Sequence, residues 1–361
     1  MTTIRIYKVI GLMSGTSLDG LDLAYCHIWK TDNTWEFDIK KTKSVSYDME
    51  MRSQLKNSIF LVAEELLILN NTYGQWLGQQ ALTFIKENNL EVDFIASHGH
   101  TTHHRPEDGL TYQIGSGQHL ANYSGHAVIC DFRTNDLSLG GQGAPLVPIG
   151  DELLFSQYDF CLNLGGISNI SFTKDGKRIA YDIGLANMVL NHITQKIGLS
   201  YDKGGALAST GKVDQKMLGK LNALAYYQKP FPKSTGYEWF VEKVVPIVDG
   251  VPMATEDLLA TSIQHICEQI AIQIKSNSSK DKSSLFVCGG GALNHFLIET
   301  LEQSLGQNIR LEIPSPTLIA FKEALVFAFM GVLRTEKEIN VLSSVTGAES
   351  DSCSGVCFLP V

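Results

Sequence analysis

A chain of 361 residues is long enough for about two domains, each burying its own core. Hydrophobic residues make up 44% and charged residues 19%, which excludes a disordered chain, and a net charge of −9 excludes a nucleic-acid backbone as partner because no basic surface is in surplus. Seven cysteines without a C-x-x-C pair form no disulfide framework and suit a reducing cytosol, and neither a signal peptide nor a membrane span is expected.

Residues 4–12 read as a β-run feeding the small, hydroxylated turn Ser14-Gly15-Thr16-Ser17, and apolar alternation resumes at Leu21, Leu23 and Tyr25. That is a hairpin with a polar tip. Gly15 and Gly20 admit close backbone approach, and free N–H groups with the Thr16 and Ser17 hydroxyls suit phosphate oxygens. Asp19 and Asp22 beside them can hold Mg²⁺ through water, although an ordinary Gly/Ser/Asp turn has the same composition.

Residues 49–89 switch to helical period, and 92–97 read as a buried strand ending in His98-Gly99-His100-Thr101, where α/β folds place ligands. His98, His100, His103 and His104 are expected in a loop before Pro106. Their H-x-H spacing admits a metal, whereas the lack of an H-E-x-x-H helix favours substrate-contacting or surface imidazoles. A short strand at 127–132 ends in Asp131-Phe132-Arg133, and Arg133 can grip a carboxylate with two N–H groups or serve an internal ion pair. The following run through Gly140, Gly141 and Gly143 has no core pattern and is the candidate hinge.

The second half opens as the first did: residues 160–172 form strand, small polar turn at Gly165-Gly166, and strand. Two hairpins of one design imply an internal duplication with a cleft between the halves and two glycine tips around one polyphosphate. Asp182 then reaches a strand end just before a helix at 186–197, where a carboxylate can cap the helix or act as a base. Residues 231–237 read as a semi-rigid basic loop and 255–274 as an amphipathic helix. Gly289-Gly290-Gly291 is a third glycine corner, strand into helix, open to a nucleobase or ribose, and Glu323 lies near the start of a final helix at 321–334.

Three glycine corners, a duplicated hairpin and a carboxylate at the second strand end resemble the actin/hexokinase/Hsp70-type ATPase plan. The strings MSGTSLDGLD, SHG, DFR, GGQGAPLVP, NLGGISN, D-x-G-x-x-N from Asp182 to Asn187, YDKGG, PKSTG, CGGGALN, EA at Glu323 and SVTGA, in that order along the chain, resemble the anhydro-N-acetylmuramic acid kinases. The resemblance implies a two-domain α/β actin/hexokinase-like (duplicated ribonuclease H-like) fold with a central nucleotide cleft. The domains would be residues 1–130 plus 345–361, and 131–344.

It further implies a cytoplasmic homodimer that uses ATP and Mg²⁺ to open the 1,6-anhydro ring with water and phosphorylate O6, giving N-acetylmuramic acid 6-phosphate and ADP in peptidoglycan recycling. Asp182 would be the general base. Gly15, Thr16, Ser17, Asp19, Gly20 and Asp22, with Gly165, Gly166 and Asn169, would serve the ATP phosphates and Mg²⁺, and Gly289, Gly290 and Gly291 the adenosine. Asp19, His98, Arg133 and Glu323 would face the sugar, Arg133 its lactyl carboxylate, and no metal would be held by protein alone. The chain departs from the family pattern at His100, Ile183, Gly184, Leu185, Asn191, Tyr237 and the Ser354–Phe358 tail, which bears on sugar specificity. Two other classes are compatible with the residues: an ATP-driven actin-like switch without sugar turnover, and a metal-dependent hydrolase using the histidine segment.

Overall fold

The computed structural model describes residues 4–15, 18–250 and 252–361, and these form an α/β protein. Its strands are β1 (Ile6–Ser14), β2 (Gly20–Thr31), β3 (Thr34–Ser46), β4 (Phe94–Ser97), β5 (His100–Arg105), β6 (Leu110–Ile114) and β7 (Val128–Cys130). There follow β8 (Phe160–Leu164), β9 (Ile167–Lys174), β10 (Lys177–Leu185), β11 (Ser283–Cys288), β12 (Ile309–Glu312) and β13 (Val356–Phe358). Two compact units emerge: unit one runs up to Phe155 and resumes over Phe321–Val361, and unit two is Ser156–Ala320. The sequence-expected boundaries after residues 130 and 344 both lie inside unit one.

The main sheet of unit one has the order β13-β7-β4-β1-β2-β3. β1, β2 and β3 are antiparallel neighbours, whereas β4 runs parallel to β1 and β7 parallel to β4. All four residues of β4 are buried, as a parallel strand covered on both faces requires. Ile10, Leu12, Leu21 and Leu23 pack with Leu69, Tyr73, Leu77 and Ala81, which recur every four residues on the helix Ala63–Asn88. Gly11 lets β1 approach a second helix, Pro316–Glu336: a Cβ there would lie 1.8 Å from the Ala324 carbonyl oxygen. That helix is long and apolar enough to cross a membrane by length and composition alone, and its residues 324–333 are buried in this unit.

The sheet of unit two has the order β10-β9-β8-β11-β12. β8, β9 and β10 are antiparallel, and β11 and β12 continue in parallel. This repeats β3-β2-β1-β4-β7 strand for strand and direction for direction, so the duplication expected from the two hairpins is present. The core of unit two joins Leu162, Leu164, Ile170 and Phe172 to Leu259, Ile263, Ile266 and Ile270 of the helix Thr255–Asn277.

Two expectations are corrected. His100, His103 and His104 lie not in a loop but on strand β5, paired antiparallel with β6 through a register shift between Thr101 and His103, and His98 lies in the link between β4 and β5. The glycine run at 140–143 is a hydrogen-bonded loop inside unit one and not a boundary hinge. Asp136, fully buried, accepts the Gly143 N–H at 2.7 Å and the Thr346 hydroxyl at 2.7 Å, and the Gln142 N–H reaches the Thr346 carbonyl at 2.9 Å.

Candidate active site

In unit one, β1 and β2 carry the polar tip. Gly15 and Gly20 lie within the described residues, whereas Thr16 and Ser17 lie outside them. Gly20 is required by packing, since a Cβ would sit 2.5 Å from the Val45 carbonyl oxygen. Asp19 is exposed, and Asp22 accepts the Ser44 hydroxyl at 2.5 Å. Burial raises the Asp22 carboxyl above its ordinary range, the negative charge of Asp19 adds to this, and Ser44 opposes it.

Arg133 follows β7 and is fixed by three contacts. Its Nε and Nη2 lie 3.2 and 2.9 Å from His98 Nε2, and its Nη1 donates to the Gly143 carbonyl. A guanidinium only donates, so Nε2 is the acceptor and the proton of neutral His98 sits on Nδ1. Burial, and then the charge of Arg133, push the His98 imidazole down to about 3. His98 therefore orients Arg133, and one N–H remains on each Nη for a ligand. Desolvation lowers Arg133 to about 10, opposed by Glu323 and Asp136. Glu323 is open to solvent, yet desolvation raises its carboxyl and Asp22 adds to the rise, while Lys322 and Arg133 oppose it. Asp19, Asp22, Glu323, Arg133 and His98 are thus electrostatically connected.

The four histidines go to separate partners: His98 to Arg133, His100 Nδ1 to Ser14 Oγ at 3.1 Å, His103 Nδ1 to Thr102 at 3.2 Å and His104 Nδ1 to Thr111 at 3.2 Å. Among the described residues no group of three or more His, Cys, Asp or Glu side chains is placed to hold a metal.

In unit two, Asn163, Asn169 and Asp182 are register partners across β8, β9 and β10, so their side chains share one face at the tip end of the sheet. The Gly165 and Gly166 carbonyls accept the N–H groups of Ala186, Asn187 and Met188 at 2.8 to 3.0 Å, tying the hairpin tip to the start of the helix Asn187–Gln195. Gly289, with φ of 82°, stands where a Cβ would be 2.5 Å from Asn163 Oδ1, and a Cβ on Gly291 would be 2.7 Å from Leu164 Cβ. The third glycine corner therefore lies directly against the second tip. Gly290 has open space where its Cβ would be.

Asp182 does not cap that helix. Its Oδ2 accepts the Thr235 N–H at 3.1 Å and the Ser234 hydroxyl at 3.2 Å, and its own N–H donates to the Lys233 carbonyl at 3.1 Å. Desolvation raises the carboxyl above its ordinary value, and the Thr235 and Ser234 donors only partly offset this. Lys233, Ser234, Thr235 and Asn163 were absent from the site read from sequence. The signal was present in the strings PKSTG and NLGGISN, but nothing in one chain says which polar turn folds back on which strand.

The family model described as anhydro-N-acetylmuramic acid kinase matches residues 7–360. An anhydro-N-acetylmuramic acid kinase of Sulfurimonas denitrificans is 33% identical over 97% of this chain and 98% of its own length. One of Aliivibrio fischeri is 33% identical over 97% of this chain and 99% of its own. Among solved structures, the activator of the 2-hydroxyisocaproyl-CoA dehydratase from Clostridium difficile with bound ADPNP is a distant likeness, with a TM-score of 0.44 and 11% identity over 91% of this chain and 97% of that one.

Proposed function

The chain belongs to the anhydro-N-acetylmuramic acid kinase family, and from that premise we propose that Asp182 is the general base of its reaction. The enzyme is an ATP-dependent sugar kinase that opens the 1,6-anhydro ring with water and phosphorylates O6, yielding N-acetylmuramic acid 6-phosphate and ADP in peptidoglycan recycling. Water forms the new bond to C1, the C1–O6 bond breaks, and O6 takes the γ-phosphoryl group of ATP, with ADP as the leaving group. The water proton goes to Asp182. O6 gains phosphorus in place of a proton, so the carboxylic acid that glycoside cleavage ordinarily needs at the leaving oxygen has no counterpart here.

The observation that carries this assignment is a carboxylate held by neutral donors and raised by desolvation, which brings a base closer to the operating pH. In unit one, Gly15, Thr16, Ser17 and Gly20 are assigned to phosphate, Arg133 to the lactyl carboxylate, and Asp19, His98 and Glu323 to the sugar. In unit two, Gly165, Gly166 and Asn169 are assigned to phosphate and Gly289, Gly290 and Gly291 to adenosine. Asp19 and Asp22 fit a hydrated Mg²⁺: hard oxygen donors of like charge, one of them raised by the other, are relieved by a cation. When bound, that ion would neutralise charge on the transferring phosphoryl oxygens. A cytoplasmic homodimer, away from any membrane, completes the reading and suits seven free cysteines.

The test is ADP release from Mg·ATP with and without 1,6-anhydro-N-acetylmuramic acid, on wild type and Asp182→Asn. Sugar-dependent turnover that collapses in a folded variant supports the base. Turnover indifferent to sugar would instead mark an ATP-driven switch.

A further inference from the structure

At Asp182 the β9–β10 ladder breaks, with the register shifting between Asp182 and Gly184. A bulge re-aims a side chain and frees main-chain groups, so what holds this segment must lie outside the ladder. The Lys233 carbonyl takes the Asp182 N–H, the Tyr226 hydroxyl donates to the Asp182 carbonyl at 2.7 Å, and Ser168 Oγ donates to the Gly184 carbonyl at 3.0 Å. The Tyr227 ring closes the remaining side. A Cβ on Gly184 would lie 2.6 Å from Tyr227 Cε1, so the bulge is wedged by that ring.

Tyr227 is anchored in turn. Its hydroxyl lies 2.9 Å from His265 Nε2, and His265 Nδ1 lies 2.7 Å from Asn222 Oδ1. Gln269 donates to the same Oδ1 at 2.9 Å, and Asn222 Nδ2 donates to Glu268 at 2.8 Å. An oxygen that accepts from Gln269 accepts from His265 as well, so Nδ1 carries the proton and Tyr227 donates to Nε2. Burial pushes His265 down to about 3, which keeps it neutral and fixes the direction of each bond.

We propose that Tyr227, held by His265, is a positioning residue that wedges Gly184 and so aims the Asp182 carboxylate. The proposal rests on Asp182 as the base. Two variants test it, Tyr227→Phe, which keeps the ring and removes the hydroxyl, and His265→Gln, with kcat, KM and the pH profile measured for each. The expected result is a folded protein whose kcat falls about tenfold with KM unchanged, since small misplacement of a catalytic group is costly. The acid limb of kcat moves to higher pH, because a displaced Asp182 loses donation that favours its ionised form. The double variant loses no more than the worse single one, since both act through one contact.

Unchanged kcat and pH profile in both variants would overturn the proposal. Loss of the folded state in both would also overturn it, making the network a stability element. Asp182→Asn, run in parallel, separates the two ideas: if it turns over like wild type the base assignment fails, and if it is inactive while both other variants match wild type, only the positioning role fails.

Discussion

The third strand of each sheet leads to a polar cluster, and the two clusters are built on opposite terms. In unit one, β3 hands the chain to Tyr47, whose hydroxyl donates to Ser14 Oγ at 2.8 Å and meets the Tyr73 hydroxyl at 2.8 Å. Ser14 continues to His100, which burial pushes down to about 4. Donation runs from Tyr73 through Tyr47 and Ser14 to His100 Nδ1, a buried neutral chain. In unit two, the corresponding β10 shifts register at Asp182 itself, whereas the β2–β3 ladder shifts farther back, at Tyr25 and Cys26, and β10 presents a carboxylate whose partners cover one oxygen. The duplicated sheet supplies equivalent places, and they end differently, in a chain of neutral hydroxyls beside β3 and in a carboxylate on β10.

The acids of unit one sharpen the contrast. Asp22 and Glu323 are raised by burial and to a smaller extent by a carboxylate neighbour, with Ser44 opposing the rise at Asp22 and Lys322 and Arg133 opposing it at Glu323. At Asp182, the groups acting among the described residues are neutral donors, and desolvation alone raises it. The largest expected effect therefore comes from Asp182→Asn, which should lower kcat by about 10²- to 10⁴-fold, the usual contribution of a general base. Its stability should move the other way. A carboxyl whose folded pKa lies above its unfolded value makes the protein lose stability as pH rises from the unfolded to the folded value, and the whole penalty stands above both. Thermal melts at neutral pH should then place the variant no lower than wild type, with the difference vanishing below the unfolded value.

A smaller effect separates the two kinds of acid. Asp22→Asn should raise the Mg²⁺ concentration for half-maximal turnover by about 10- to 100-fold, the range seen when an outer partner of a metal is lost. Residual turnover of Asp182→Asn should keep the wild-type Mg²⁺ dependence. An unaltered Mg²⁺ requirement in Asp22→Asn would remove that carboxylate from the ion's surroundings.

Much of this was legible in the sequence for a physical reason. Hairpins, buried strands and long helices are local patterns, and Asp182, Arg133 and the glycine corners sit at the ends of such patterns. His100 to His104 carry no strand signal because an unbroken polar run shows no two-residue period, and their pairing with β6 depends on a partner that the run itself does not reveal. Gly140 to Gly143 misled because flexible composition does not reveal that Asp136 and Thr346 will bind the loop. The contacts that hold Asp182 join residues 44 to 53 positions apart, and Tyr227 meets His265 across 38, distances over which no local period carries information.

Tyr47→Phe tests the closed cluster. It removes one hydroxyl from a buried chain and leaves Ser14 and Tyr73 short of a partner, so urea denaturation should show a loss of about 1–3 kcal/mol. A change within experimental scatter would mean that water or rearrangement satisfies those groups, and the cluster would no longer count as closed.

The finest distinction is Ser234→Ala. Ser234 is exposed and its hydroxyl reaches Asp182 at a long 3.2 Å, so stability should be unaffected, and the Thr235 N–H still holds the same oxygen. Ser234 donates to the ionised form and lowers the pKa, so its removal raises it further above the ordinary value. The acid limb of kcat should shift to higher pH while the plateau above it stays unchanged, because the base there is fully ionised in both proteins. A limb that moved to lower pH would mean that Ser234 stabilises the protonated acid. A lowered plateau with an unmoved limb would mean that it touches the substrate and not the base, and either outcome would change which side of Asp182 receives the water proton.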